Sequence, residues 1–390
     1  MRVTHIITRL VIGGAQENTL ATIHGLRQIS GVEVKLISGP SIGPEGSLEK
    51  SAAKIPGLLT LVAELVRPVH PLKDFIALRK LEKILREQKP DIVHTHSGKA
   101  GILGRIAAKR AGVPIIIHHI HGPSFGNFQG ALANFVFTAA EKYAAKVTDH
   151  FIVVAEAMKR RYLAANIGRP ENYTKIFSGF AIEPFLAVKP DPAFRRQLGF
   201  APEDFVIGQV ARFAPRKGHA DLLTSFRALL PDCPHARLLF VGDGWLRGEL
   251  ERQVKNLGLM GQVVFTGLVP PDEVPRHLSA MDCLAHLSSF PEGLPRALPQ
   301  ALAAGKPVIA YDFDGADEIC LENETGFLIH TGDTTAAANR LLQLARDAAL
   351  REKLGRAGQA FVRENFSVEK MVADQYTVYQ KLAAMRGLRA

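Results

Sequence analysis

The chain has 390 residues, with 48 Lys and Arg against 38 Asp and Glu for a formal net charge of +10; 47% of residues are apolar and 22% charged. That balance excludes an intrinsically disordered chain, and the length exceeds one typical core, so two domains are expected. Three unpatterned cysteines (Cys233, Cys283, Cys320) argue against a disulfide framework and for a reducing, cytoplasmic compartment.

The first segment, VTHIITRLVIGGAQENTL (residues 3–20), reads as a short apolar strand, a Gly13-Gly14 turn and a helix with Glu17 in its first turn. His5 and Arg9 interrupt its apolar run, so it is a first strand and not a secretory signal. Paired glycines let backbone approach a ligand closely, but the pair is not a full dinucleotide fingerprint. Ile55–Leu65 is apolar and helical or strand-like, suited to the core or to contact with lipid or acceptor. No run of 18 apolar residues follows anywhere, so no membrane-spanning helix is expected.

Residues 90–105 (PDIVHTHSGKAGILGR) read as strand then helix, and 113–125 (VPIIIHHIHGPSF) as a further strand ending at His121 before Gly122-Pro123. His94, His96, His118, His119 and His121 invite a metal reading. Alternating strand residues point in part to opposite faces, and neither a Cys or carboxylate set at ligand spacing nor an HExxH motif accompanies them. The expectation is therefore no metal site. Ala187–Pro192 (AVKPDP) is the best linker, and Ala193–Leu198 opens the next helix.

VIGQVARFAPRKG (206–218) reads as a buried strand ending at Arg212, with Lys217 five positions later beside Gly218. Cations at a strand's carboxyl end sit where α/β sheets bind ligands; Arg clamps a diphosphate bidentately and Lys adds a point charge. HLSSFPEGLPRALPQALAAGKPVIA (286–310) reads as strand end, turn, helix, glycine stop and strand. Glu292 and Gly293 are expected to open that helix, with Pro295 in its first turn and Gly305 at its end. Such an N-terminus can hold phosphate while Glu292 accepts hydrogen bonds from sugar hydroxyls, which is what a nucleotide-sugar site needs. Ser367 then reads as an N-cap for a final helix over Val368–Ala384, its capping box incomplete because Lys370 stands at the Glu/Gln position.

Together these segments resemble glycosyltransferase family 4, and residues 90–125 are similar to bacterial surface-polysaccharide transferases. The resemblance runs from about Arg2 to Phe366. It implies the GT-B architecture: an α/β protein of two facing Rossmann-like parallel-sheet domains with a cleft between them. The first, acceptor-binding domain spans 1–189 with a crossover helix at about 367–386; the second, nucleotide-sugar-binding domain spans 190–366. It implies retaining, metal-independent transfer, without a cofactor, from a UDP- or GDP-sugar to a lipid-linked saccharide or polysaccharide acceptor. Catalytic roles fall to His121, Arg212, Lys217 and Glu292, with His121 matching a histidine pointed at the donor sugar. Donor-binding roles fall to Gly13, Gly14, Arg212, Lys217, Glu292, Gly293, Leu294, Pro295 and Gln300. The sequence departs from the family at Gln300, where a second Glu is usual; an amide keeps an acceptor and gains donors but loses the charge. A nucleotide-sugar epimerase of the same fold and a non-catalytic nucleotide-sugar-binding protein are the alternatives.

Charge divides unevenly. Residues 1–190 hold 25 basic and 14 acidic residues, whereas 191–390 hold 23 and 24. The basic half is the acceptor half, which favours an anionic membrane surface at the inner face of the cell membrane. Nucleic acid is not expected as a partner, because no helix-turn-helix, zinc-finger or aromatic RNA-binding signature is visible.

Overall fold

The structure is a computed structural model that describes residues 1–41, 46–96 and 98–388. Ser97, within the predicted strand–helix motif of residues 90–105, lies outside them. The chain divides into two compact units, Met1–Phe180 with Phe366–Ala390, and Ala181–Asn365. The Ala187–Pro192 stretch falls inside the second unit, between the helices Glu183–Leu186 and Pro192–Gln197.

Among the described residues the first unit is built on a seven-stranded sheet. Its strands are β1 (Arg2–Ile7), β2 (Glu33–Ser38), β3 (Leu59–Leu61), β4 (Ile92–His96), β5 (Ile115–Ile120), β6 (His150–Val153) and β7 (Tyr173–Lys175), in the order β3-β2-β1-β4-β5-β6-β7. Every neighbouring pair is parallel. Parallel strands covered by helices on both faces must be apolar on both sides, and β1 shows it. Val3 and Ile7 join one core with the final helix, while Ile6 joins another with Val93 and Ala107 on the opposite face.

That final helix, Val368–Met385, is capped by Ser367, whose hydroxyl accepts from the Lys370 backbone N–H at 3.1 Å. It packs on the helix Gly14–Leu26, where Asn18 Nδ2 donates to Met371 Sδ. The Ile55–Leu65 segment is anchored in the core by Leu58, Val62 and Leu65, which are buried, whereas Pro56, Gly57, Leu61 and Ala63 are exposed.

In the second unit six parallel strands follow the order β10-β9-β8-β11-β12-β13, with β8 (Phe205–Val210), β9 (Ala236–Val241), β10 (Val263–Phe265), β11 (Cys283–His286), β12 (Val308–Tyr311) and β13 (Gly326–Ile329). Both units are therefore Rossmann-like. The second sheet's order turns at β8, whose neighbours are β9 and β11, and ligands of open α/β sheets bind outside the strand carboxyl ends at such a point. Among the described residues no helix is long and apolar enough to cross a membrane. The three cysteines are buried free thiols.

Candidate functional site

Two loops meet beyond the carboxyl ends of β8 and β11. Gly218 is what lets them close. It sits at φ 80°, and a Cβ there would lie 2.0 Å from the Leu287 carbonyl oxygen, so any side chain would push the loops apart. Arg216 also adopts a left-handed conformation, φ 66°. Its carbonyl oxygen accepts from the Ser289 backbone N–H at 2.9 Å and from Ser288 Oγ at 3.2 Å, and its Nη2 donates to the Ser289 carbonyl at 2.5 Å. Gln209 Nε2 donates to the Lys217 carbonyl at 2.7 Å.

This backbone frame sets a charged clasp. Lys217 Nζ stands 2.8 Å from Glu292 Oε2 and 5.0 Å from the Phe290 ring centroid. Glu292 Oε1 accepts from Ser288 Oγ at 2.9 Å and lies 3.4 Å from His286 Nε2. Burial by itself would raise the Glu292 pKa, but His286 and Lys217 outweigh it and hold the carboxyl at about 2. At neutral pH Glu292 is an ionised acceptor, unsuited to protonating a leaving group. Arg212 is exposed on the same loop, just after β8.

The helix expected to start at Glu292 starts later. It spans Ala297–Ala303, and Glu292, Gly293, Leu294 and Pro295 form the loop before it. Gly293 is at φ 81°, outside helical space, and its carbonyl accepts from the Gly315 N–H at 3.2 Å. The carboxylate and this turn are thus fixed by tertiary bonds that local start signals do not encode. Gly305, at φ 71°, does end the helix as the sequence indicated. Gln300 lies half-buried within it, its backbone bonded to Arg296 and Ala304.

In the first unit, Gly13 precedes the helix that starts at Gly14. Gly13 is extended, and a Cβ on Gly14 would meet nothing within 4 Å, so neither position demands glycine on conformational grounds. Close by, Thr8, Arg9, Gln16, Arg67, Lys99 and Val136 line part of a cavity of about 620 Å³. One wall belongs to the helix Ala131–Ala145, whose buried residues are Glu141 and Ala144, while Leu132, Phe135 and Tyr143 are exposed. Sequence reasoning missed this helix; its buried anchor is Arg105, which donates to Glu141 at 2.6 Å with both side chains fully buried.

The histidines divide between faces only in part, and most of them converge. Cross-strand register pairs His5 with His94 and His96 with His119, so His5, His94, His96, His119 and His121 gather on one face. His118 alone turns to the other, bonding Thr95 Oγ1 at 2.9 Å. The signal was in the strand pattern, but register between strands about 90 residues apart is not local information. His96 bridges two neighbours: its Nε2 is 2.9 Å from His5 Nδ1 and its Nδ1 is 3.0 Å from His121 Nε2. Desolvation holds His5 and His121 neutral, with pKa values of about 3, and lowers His94, His96 and His119 as well. Among the described residues, five ring nitrogens in this group are buried without a partner: His5 Nε2, His94 Nε2, His121 Nδ1 and both of His119. Each such atom costs about 1–3 kcal/mol if left unmet. The triads His5–His94–His96 and His96–His119–His121 each place ligand atoms within 4.8 Å of one another, so they can hold a cation.

Comparison with known proteins bears on both units. Residues 190–361 match the model for glycosyl transferases group 1, and residues 13–176 match the glycosyl transferase 4-like domain. Over 293 residues, covering 74% of this chain and 75% of the relative, the sequence is 30% identical to the Escherichia coli UDP-Gal:alpha-D-GlcNAc-diphosphoundecaprenol alpha-1,3-galactosyltransferase. It is 30% identical over 325 residues to the Bacillus subtilis putative glycosyltransferase EpsD, covering 81% and 83%. In fold it is similar to Anabaena HepE in complex with UDP, with a TM-score of 0.82 at 24% identity over 98% of this chain and all of that one.

Proposed function

Because the chain belongs to the group 1 glycosyltransferases, we propose that it is a retaining enzyme that moves a sugar from a UDP- or GDP-sugar to a lipid-linked saccharide or growing polysaccharide. The observation that carries the reading is the clasp of Lys217 and Glu292, 2.8 Å apart beyond β8, with Arg212 on the same loop. Arg212 and Lys217 take the diphosphate. Negative charge gathers on it as the glycosidic bond breaks, so these cations stabilise the transition state more than the ground state. Ionised Glu292 accepts from a sugar hydroxyl and orients the ring; Gly293, Leu294 and Pro295 shape the loop around it, and Gln300 meets the nucleotide.

His121 is assigned to the reacting centre, where a neutral imidazole whose Nε2 faces His96 Nδ1 can hydrogen-bond the sugar through Nδ1. With the incoming hydroxyl on the face the diphosphate leaves, the departing phosphate oxygen takes the acceptor's proton, and configuration is retained. The charge on the leaving group is met by side chains, so no cofactor is assigned to this step. Gly13 and Gly14 give the diphosphate and acceptor a side-chain-free approach. The 620 Å³ cavity takes the acceptor. The exposed Leu132 and Phe135, together with the excess of basic residues before position 190, support docking at the inner face of the cell membrane.

The test is incubation with a panel of UDP- and GDP-sugars and polyprenyl-diphosphate saccharides, with the product linkage read by NMR. Donor-dependent formation of a product that keeps the donor's anomeric configuration is expected. Inversion of the anomeric centre, or donor turnover that needs no acceptor, refutes the reading; the latter outcome identifies an epimerase.

A further inference from the structure

We propose that the first unit carries a binding site for one borderline transition-metal dication of the Zn2+ class, ligated by His5, His94 and His96. This site is separate from the diphosphate chemistry assigned to Arg212 and Lys217. All three side chains are buried on one face of the sheet, on β1 and β4, with His5 directly opposite His94. Rigid strands rather than loops hold them. Donor chemistry narrows the ion: an all-imidazole set suits Zn2+, Co2+, Ni2+ or Cu2+, and offers nothing to Ca2+ or Mg2+, which seek oxygen. The neutral imidazole is the form that ligates.

For His94 and His96 the surroundings supply what metal-bound histidines need at their second nitrogen, whereas His5 Nε2 has no partner among the described residues. Tyr379 Oη lies 2.5 Å from His94 Nδ1, and when it accepts that N–H it leaves the lone pair on Nε2, which has no partner among the described residues. His121 Nε2, 3.0 Å from His96 Nδ1, plays the same part for His96, leaving His96 Nε2 for the ion. His96 Nε2 and His5 Nδ1 are 2.9 Å apart, close to the roughly 3.3 Å between ligand atoms around a tetrahedral ion with bonds of about 2.0 Å. Between these two atoms an ion can replace the hydrogen bond, and the His94 ligand atom lies within 4.8 Å of both. Three protein ligands leave a fourth position for water.

Entry is provided by the second triad. His121 is half-buried beyond the end of β5, and His119 stacks on it at 4.0 Å, so His119 and His121 can pass an ion inward to His96. Because the two triads share His96, one ion per chain is expected.

The experiment uses the full chain, with any affinity tag removed, stripped by a chelator and titrated with Co2+ and then Zn2+. One Co2+ per chain is expected, with visible absorption of a low-coordinate nitrogen-ligated ion that Zn2+ bleaches. The thermal midpoint should rise with the logarithm of free Zn2+. His5→Leu and His94→Leu should each weaken binding at least about tenfold, Tyr379→Phe less so, and His118→Asn, on the opposite face, should leave binding unchanged. X-ray absorption of the zinc-loaded wild-type chain should show a shell of three imidazole nitrogens at about 2.0 Å, a readout that does not depend on the variants folding. Absence of stoichiometric binding by the wild-type chain, an oxygen-dominated shell, or full binding by both His5→Leu and His94→Leu overturns the proposal.

Discussion

Replacing Arg105 with Met tests what holds the helix Ala131–Ala145 in place. Arg105 and Glu141 are both fully buried with a 2.6 Å contact. Arg105 also donates from Nε to the Gly101 carbonyl at 2.7 Å and from Nη1 to Thr148 Oγ1 at 3.3 Å. Glu141 Oε1 accepts from Ser124 Oγ at 2.9 Å, and Ser124 in turn bonds Tyr162 Oη at 2.9 Å. Without the guanidinium, a carboxylate remains in the core with one hydroxyl donor. Removing one partner of such a pair costs about 3–5 kcal/mol. Against a domain stability of about 5–15 kcal/mol this is a large fraction. Urea unfolding of the Arg105→Met chain at pH 7, read against wild type, should show a penalty of about 3–5 kcal/mol. Hydrogen exchange in residues 131–145 should rise with it. Arg105→Met/Glu141→Leu, which removes the stranded charge, should regain much of the stability. A penalty below about 1 kcal/mol at pH 7 would mean that water already reaches the pair and that the helix is held by other contacts.

Arg212→Ala and Lys217→Ala should each cost on the order of 2–5 kcal/mol in kcat/KM with the fold intact, checked by steady-state transfer and circular dichroism; near wild-type rates in both would remove the clamp assignment. Gln300→Glu should stay active or improve and Gln300→Ala should mainly raise the donor KM, whereas equal kinetics in all three forms place the residue away from the nucleotide. Vesicle sedimentation should rise with anionic lipid fraction and fall with salt, and reversing Lys159, Arg160 and Arg161 should weaken it; salt-insensitive binding to neutral vesicles points instead to insertion by Leu132 and Phe135. Glu292 titrates at about 2 in the fold against an ordinary 4.5, so its contribution to stability is present above pH 4.5 and lost as pH falls towards 2. The urea-midpoint gap between wild type and Glu292→Gln should therefore close across that window, and a pH-independent gap would contradict the ion pairing.

What was legible in the chain was what local pattern encodes. The apolar run ending at Arg212 becomes β8, the Ser367 cap starts the last helix, and Gly305 ends the helix after the clasp, because strand propensity, capping and glycine conformation act over a few residues. Glu292, Gly293 and Pro295 carry every local sign of a helix start, yet the helix begins at Ala297. Bonds from Lys217, Ser288 and Gly315 compete for that segment, and they come from up to 75 residues upstream and 22 downstream. The imidazole cluster was illegible for the same reason. Period-two alternation fixes which face each histidine takes within its own strand, but only the pairing of β1, β4 and β5 makes those faces coincide. Ile55–Leu65 was ambiguous because an apolar run of that length suits a core and a lipid surface equally; Leu58, Val62 and Leu65 anchor it in the core while Pro56, Gly57, Leu61 and Ala63 face outward.

The clasp itself explains why a cation can wait beyond β8 without collapsing the loop. A half-buried Lys217 needs a counter-charge, and Glu292 supplies one at 2.8 Å. A loop held only by that ion pair would loosen when an incoming anion competed for Lys217. Here the pair is relieved of that duty. Gly218 against Leu287, the Arg216 carbonyl on Ser288 and Ser289, and Gln209 on the Lys217 carbonyl fix the backbone independently of the charges. Glu292 likewise keeps Ser288 and His286 at its other oxygen. In the proposed reaction Lys217 would exchange its carboxylate partner for phosphate oxygens while both residues stay positioned, so ordering cost would be met in folding rather than at binding, the condition under which fixed charges stabilise a transition state most effectively.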